Sequence, residues 1–142
     1  MTDKNVSIMN IGSMGYLPQV FKKIENEKKL NIVYLGGSIT MGCNATKTEF
    51  RYVDRSAKWW QTNFPDAEIS YFNAGIGATT SQFGVARLQE HVLDKQPDLV
   101  FVEFSVNDSS SPLFMETYES LVRRLLKAES VKAVVLINNL FY

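Results

Sequence analysis

Four short apolar runs alternating with amphipathic helical stripes place this chain in the α/β class, as a sandwich built on a parallel sheet. The third run, Leu99 to Phe104, is almost continuously apolar, as a central parallel strand covered on both faces requires. With 142 residues, 45% of them apolar and 21% charged, the composition is globular. No repeat or linker divides it, so residues 1–142 are read as one domain, able to bury roughly 70% of its unfolded surface.

The elements follow in order. From Pro18, the pattern Val20, Phe21, Ile24 gives a short helix that runs into Lys22-Lys23, Glu25, Glu27 and Lys28-Lys29, a solvated charged face. Asn31 to Leu35 is the first strand. Val53, Ala57, Trp60 and Phe64 recur at steps of four, three and four, a helical stripe that Pro65-Asp66 ends. That spacing assigns Trp59, Trp60 and Phe64 to the core. Ile69 to Phe72 is the second strand. Val85, Leu88 and Val92 mark one helix, closed by Gln96-Pro97. After the third strand, Phe114, Tyr118, Leu121 and Leu125 give another helix, and Ala133 to Ile137 a fourth strand.

Composition excludes several functions. Lys plus Arg and Asp plus Glu are 15 each, so no net field draws the chain to nucleic acid or to an anionic membrane. Cys43, the single cysteine, rules out an intrachain disulfide framework and a cysteine-rich metal site. It lies five residues after Ser38, and without a nearby histidine to lower its pKa it reads as a small packing residue. No apolar stretch approaches the ~18 residues that cross a bilayer. Met1-Thr2-Asp3-Lys4 lacks the layout of a secretion signal, so a cytoplasmic location is expected.

Each of the first three strands ends in a cluster of small and polar residues: Gly36-Gly37-Ser38, then Asn73 to Ser81, then Ser105-Val106-Asn107-Asp108. Parallel strands share one C-terminal edge, and ligands bind there where strand order reverses. With the first strand between the second and third, Ser38 is flanked by the other two clusters. Two glycines before a hydroxyl at the end of a buried strand present a nucleophile to solvent. The Ser38 N–H, an N–H of the Gly77-Ala78 turn and the Asn107 side chain could then hold the oxyanion formed when that hydroxyl attacks a carbonyl. Taken singly, each cluster is a plain turn, with Thr80 or Ser81 as helix cap; their order along the chain points to acyl transfer.

The three segments resemble the first three blocks of the GDSL-like, or SGNH, hydrolase superfamily. Leu35-Gly36-Gly37-Ser38-Ile39-Thr40 is similar to the nucleophile block, with Gly37 where many members have aspartate. Asn73 to Ser81 resembles the second block and Val102 to Asp108 the third. Trp59-Trp60, Phe64-Pro65 and Pro97-Asp98-Leu99 look like the bacterial branch associated with carbohydrate esterases. The resemblance implies a flavodoxin-like three-layer α/β/α sandwich. It also implies ester hydrolysis without metal or cofactor, with Ser38 as nucleophile, Asn107 as oxyanion donor, and Ala78 or Gly77 as the second-block donor. Ala78 falls where the family usually has glycine. The substrate so implied is a small-molecule ester, with an acetylated saccharide the first choice.

One signature is missing. The family's C-terminal Asp-x-x-His, whose histidine is the base, has no counterpart, and the sole histidine, His91, is placed mid-helix away from the strand edge. The sequence is therefore expected to be the N-terminal portion of such an enzyme, inactive alone for want of a base. The alternative is a module that binds a carbohydrate or an anion on the same rim without turning it over. Nucleotide binding is weaker: Thr80 stands where Gly-x-Gly-x-x-Gly needs its third glycine, and Gly36 to Gly42 lacks the Gly-Lys-Ser/Thr ending of a phosphate loop. The apolar fourth strand, left as an open edge, predicts self-association. Light scattering at micromolar concentration is expected to show a dimer or larger species; a clean monomer would count against it.

Overall fold

The computed structural model describes residues 11–139; the opening Met1-Thr2-Asp3-Lys4 lies outside them. The strands are β1 (Lys29–Gly36), β2 (Glu68–Gly75), β3 (Leu99–Glu103) and β4 (Ala133–Leu136), and the helices α1 (Leu17–Glu27), α2 (Ser38–Met41), α3 (Tyr52–Asn63), α4 (Ser81–Ala86), α5 (Leu88–His91) and α6 (Pro112–Lys127). All strand pairs are parallel, in the order β2-β1-β3-β4. The order reverses at β1, so the C-terminal end of β1, where Ser38 follows, is the topological switch point.

Alternation along β1 builds two cores, one on each face. Leu30, Ile32 and Tyr34 pack with Val20 and Ile24 of α1 and with Val53 and Trp60 of α3. Val33 and Leu35 point the other way, to Leu88, Val92, Leu121 and Leu125. Helices thus cover both faces, and the three-layer α/β/α sandwich expected from the sequence is what forms. β3 is buried at four of its five positions, as its apolar run requires.

Three expectations need correction. The helix expected through Val85, Leu88 and Val92 is broken at Arg87 (φ −98°, ψ 5°), giving α4, α5 and a 3-10 turn Leu93–Lys95 that ends at Gln96 with φ +50°. The break lets the Arg87 side chain reach under the sheet edge, where it holds two carbonyls. Trp59 is not a core residue: it is 51% exposed while Trp60 is 6%, because adjacent helix positions lie about 100° apart and only one faces the sheet. Finally, the cap of α4 comes from neither Thr80 nor Ser81. The Ser81 N–H donates to Asp108 Oδ1 at 2.9 Å, so the loop after β3 caps the helix after β2.

The open edge is present. β4 has a neighbour only on the β3 side among the described residues, and Leu136 is 47% exposed. Also among the described residues, no helix is long and apolar enough to cross a membrane.

Tyr34 supplies a test of the β1 core. It is fully buried, stacks on Phe101 at 4.8 Å between ring centroids, and donates to Ser56 Oγ at 2.8 Å. Burial pushes its phenol up to about 12, against the smaller opposing pull of the Ser56 bond. An unfolded tyrosine ionises near pH 10, so its contribution to stability is intact below pH 10 and falls as pH rises towards 12, by ~2–3 kcal/mol. Tyr34→Phe is expected to cost about 1 kcal/mol at pH 8 through the lost hydrogen bond, and to lose less than the parent between pH 8 and 11. Urea midpoints for both proteins at the two pH values read this directly.

Candidate active site

The first wall of the site is the turn from β1 into α2. Gly36 ends the strand, Gly37 takes φ −89° and ψ −145°, and Ser38 is the first residue of α2. The Gly37 N–H donates to the Glu103 carbonyl at 3.2 Å, tying the turn to the end of β3. Thr40, wholly buried, shares a 2.9 Å hydrogen bond with the Tyr52 hydroxyl and so docks α2 on the start of α3. Burial raises the Tyr52 phenol well above the ordinary tyrosine range, which keeps it a neutral hydrogen-bonding group. Among the described residues no group bonds the Ser38 hydroxyl, and Ser38 itself is half-buried.

The second wall is the turn after β2. Asn73 Nδ2 donates to the Thr40 carbonyl at 2.8 Å and its Oδ1 accepts from the Gly75 N–H at 2.9 Å, so one side chain clamps α2 to the end of β2. Gly75 is glycine because a Cβ there would overlap the Met41 amide. Thr79 closes the turn through a 2.7 Å bond to the Ile76 carbonyl. The amides of Gly77 and Ala78 donate to no group among the described residues.

Ala78 has φ +57°. The residue stands in the left-handed region, which favours glycine. That accounts physically for glycine at this point in the family's second block, and it leaves Ala78 strained by about 1–2 kcal/mol.

Asn107 is the third wall. It follows β3, its N–H donates to the Phe104 carbonyl at 3.1 Å, and its Nδ2 donates to the Thr79 carbonyl at 2.8 Å. The second Nδ2 hydrogen is left over. This amide lies 2.9 Å from where a Cβ on Gly37 would stand. The side chain at 107 thus rests against the backbone that carries Ser38, and an unshifted Asn107 requires glycine at 37. The sheet brings Ser38, the Gly77-Ala78 turn and Asn107 to one edge, as the three clusters predicted.

His91 lies nearer that edge than a mid-helix position suggested. Its Nδ1 is 3.4 Å from Arg87 Nη1, and Arg87 donates to the carbonyls of Ala74 (2.6 Å) and Gly36 (3.0 Å) at the ends of β2 and β1. No hydrogen bond joins His91 to Ser38. Arg87, which no motif signalled, is 6% exposed, and burial lowers its pKa from the ordinary arginine value. Cys43 is exposed and does not pack, since it sits past the left-handed Gly42 that ends α2. Among the described residues no cluster of three or more histidine, cysteine or acidic side chains could hold a metal ion.

With the site in view, comparison with known proteins is decisive on one point. Residues 34–141, most of the chain and all three walls, match the model of the GDSL-like lipase/acylhydrolase family. The chain belongs to that family. A two-domain esterase active on acetylated mannans superposes with a TM-score of 0.90 at 48% identity, covering 94% of this chain and 36% of that one. The same esterase crystallised with mannopentaose gives 0.93 at 47% identity, over 97% and 38%. Axe2, an acetylxylan esterase from Geobacillus stearothermophilus, gives 0.61 at 25% identity, over 75% and 58%. An uncharacterised Bacillus subtilis lipoprotein, YqeF, is 31% identical over 83 residues, 56% of this chain and 32% of its own. The chain therefore spans about a third of the length of the lipoprotein and of the two-domain esterase.

The strain at position 78 is measurable in this GDSL-like domain. Ala78→Gly is expected to raise stability by about 1 kcal/mol, relief of the left-handed alanine outweighing the added freedom of the unfolded chain. Urea denaturation checks it; a fall in stability would show that the turn does not hold φ +57° in solution.

Proposed function

We propose that this domain carries the nucleophile and oxyanion hole of a serine esterase acting on acetylated saccharides. The observation that carries the reading is the seating of the Asn107 amide against Gly37, next to a Ser38 that begins a helix at the switch point. Ser38 Oγ attacks the acetyl carbonyl, the sugar oxygen leaves, and water later releases acetate from the acyl-serine. The developing oxyanion is met by the Ser38 N–H, the spare Asn107 Nδ2 hydrogen and the Ala78 N–H, or that of Gly77 beside it. All three are amide donors, matched to a transient negative charge, and each is held by backbone or side-chain bonds before substrate arrives.

Saccharide specificity is supported by the relatives: a two-domain esterase active on acetylated mannans and an acetylxylan esterase share this fold. The Ser38 proton needs an acceptor, and in this reading polypeptide outside these 142 residues supplies it. The unpartnered Ser38 hydroxyl and the position of His91 behind Arg87 favour that division. They equally favour the second reading, a rim that binds acetylated sugar without hydrolysing it.

Fluorophosphonate labelling of the protein taken from its native cells separates the two. Mass spectrometry is expected to find the label on the peptide that contains Ser38, and Ser38→Ala to abolish it. Asn107→Ala is expected to lower ester turnover about 10²–10³-fold. An unlabelled Ser38 in the native protein would overturn the esterase reading and leave the binding one.

A further inference from the structure

Away from the rim, a groove of about 560 Å³ runs along the outer side of α3, lined by Phe50, Arg55, Lys58, Trp59, Thr62 and Asn63 among others. Two of these are aromatic residues that a folded core would normally recover. Trp59 is 51% exposed and Phe50 50% exposed, and both face the same groove. The indole is not loose. It meets Trp60 edge-on at 5.0 Å and 89° and Phe64 at 6.4 Å, so its free face is held in place by buried and half-buried rings. Phe50 ends the 3-10 turn Thr48–Phe50, with Lys47 Nζ 5.7 Å from its ring centroid.

Apart from Glu49, which pairs with Lys47 at 3.9 Å, most of the polar lining is uncommitted. Among the described residues, neither Arg55 nor Lys58 has a salt-bridge partner, and the Thr62 hydroxyl makes no hydrogen bond. Asn63 uses Nδ2 on the Trp59 carbonyl, 2.8 Å away, and keeps Oδ1 free. Flat apolar faces bordered by free donors and acceptors match a pyranose, which shows C–H groups on its faces and hydroxyls around its edge. A lipid acyl chain would leave those polar groups unanswered.

The Phe50 end of the groove lies near the close of α2, the helix that Ser38 begins. Arg51 directly follows Phe50, and its side chain lies where a Cβ on Gly42, the residue closing α2, would stand. From there α3 carries the lining about 17 Å further, at 1.5 Å per residue from Tyr52 to Asn63. A chain of sugars with one unit at Ser38 could run over Phe50 to Trp59. We propose that this groove is a distal subsite for a saccharide chain, with Trp59 and Phe50 as its stacking platforms. The inference rests on the saccharide-esterase reading above and extends it to residues that touch no reacting atom.

Mannopentaose is the probe, titrated into the 142-residue protein. Because Trp60 is buried, acrylamide quenching of tryptophan fluorescence reports mainly on Trp59. Saturating mannopentaose is expected to lower the quenching constant at least two-fold. By calorimetry, Trp59→Ala is expected to weaken binding at least ten-fold and Phe50→Ala several-fold. Phe50 is remote from the packed face of α3, so its variant keeps the test valid if Trp59→Ala unfolds. An unprotected Trp59, or wild-type binding by both variants, overturns the subsite. A labelled Ser38 with an unprotected Trp59 would remove the subsite and leave the esterase reading. Protection of Trp59 in a protein whose Ser38 stays unlabelled would do the reverse.

Discussion

The carbonyls of Gly36 and Ala74, on neighbouring strands at the sheet edge, both accept hydrogen bonds from the buried guanidinium of Arg87. The turns that leave those strands carry Ser38 in one case and the Gly77-Ala78 amides in the other, so one cation fixes the spacing of two walls of the site. A buried arginine is costly unless its hydrogen bonds are met, and these two carbonyls meet part of that cost. The rest of the edge builds on this spacing. Asn73 can reach the Thr40 carbonyl, and Asn107 the Thr79 carbonyl, only because β1, β2 and β3 end level with one another.

A second dependency runs through the loop after β3. Neighbouring residues there serve different elements: Asn107 holds the turn after β2, and Asp108 caps the helix that follows that turn. Movement of α4 would therefore be felt at the Asn107 amide. Gly84 packs α4 closely on Phe104 and Leu121, which holds that helix against α6 and damps the movement.

Much of this was legible in the sequence, for identifiable reasons. The alternation of Leu30, Ile32 and Tyr34 with Val33 and Leu35 reports two buried faces, and a parallel sheet with helices on both sides follows. The three polar clusters announced the shared edge because their position after strands is local information. What stayed hidden was decided by tertiary contact. Arg87 looks like any helical arginine until the chain breaks to aim it at two carbonyls. Trp59 and Trp60 are indistinguishable in composition, yet the phase of α3 buries one and exposes the other. Cap assignment failed because Asp108 acts on Ser81 across 27 residues of separation. The left-handed backbone at Ala78 was invisible because alanine rarely signals it.

Gly37 has no side chain, and the Asn107 amide occupies the space one would fill. Positions 37 and 107 are thus not independent variables. A side chain at 37 would press on the end of the Asn107 amide, and the 2.8 Å bond from that amide to the Thr79 carbonyl would have to give with it.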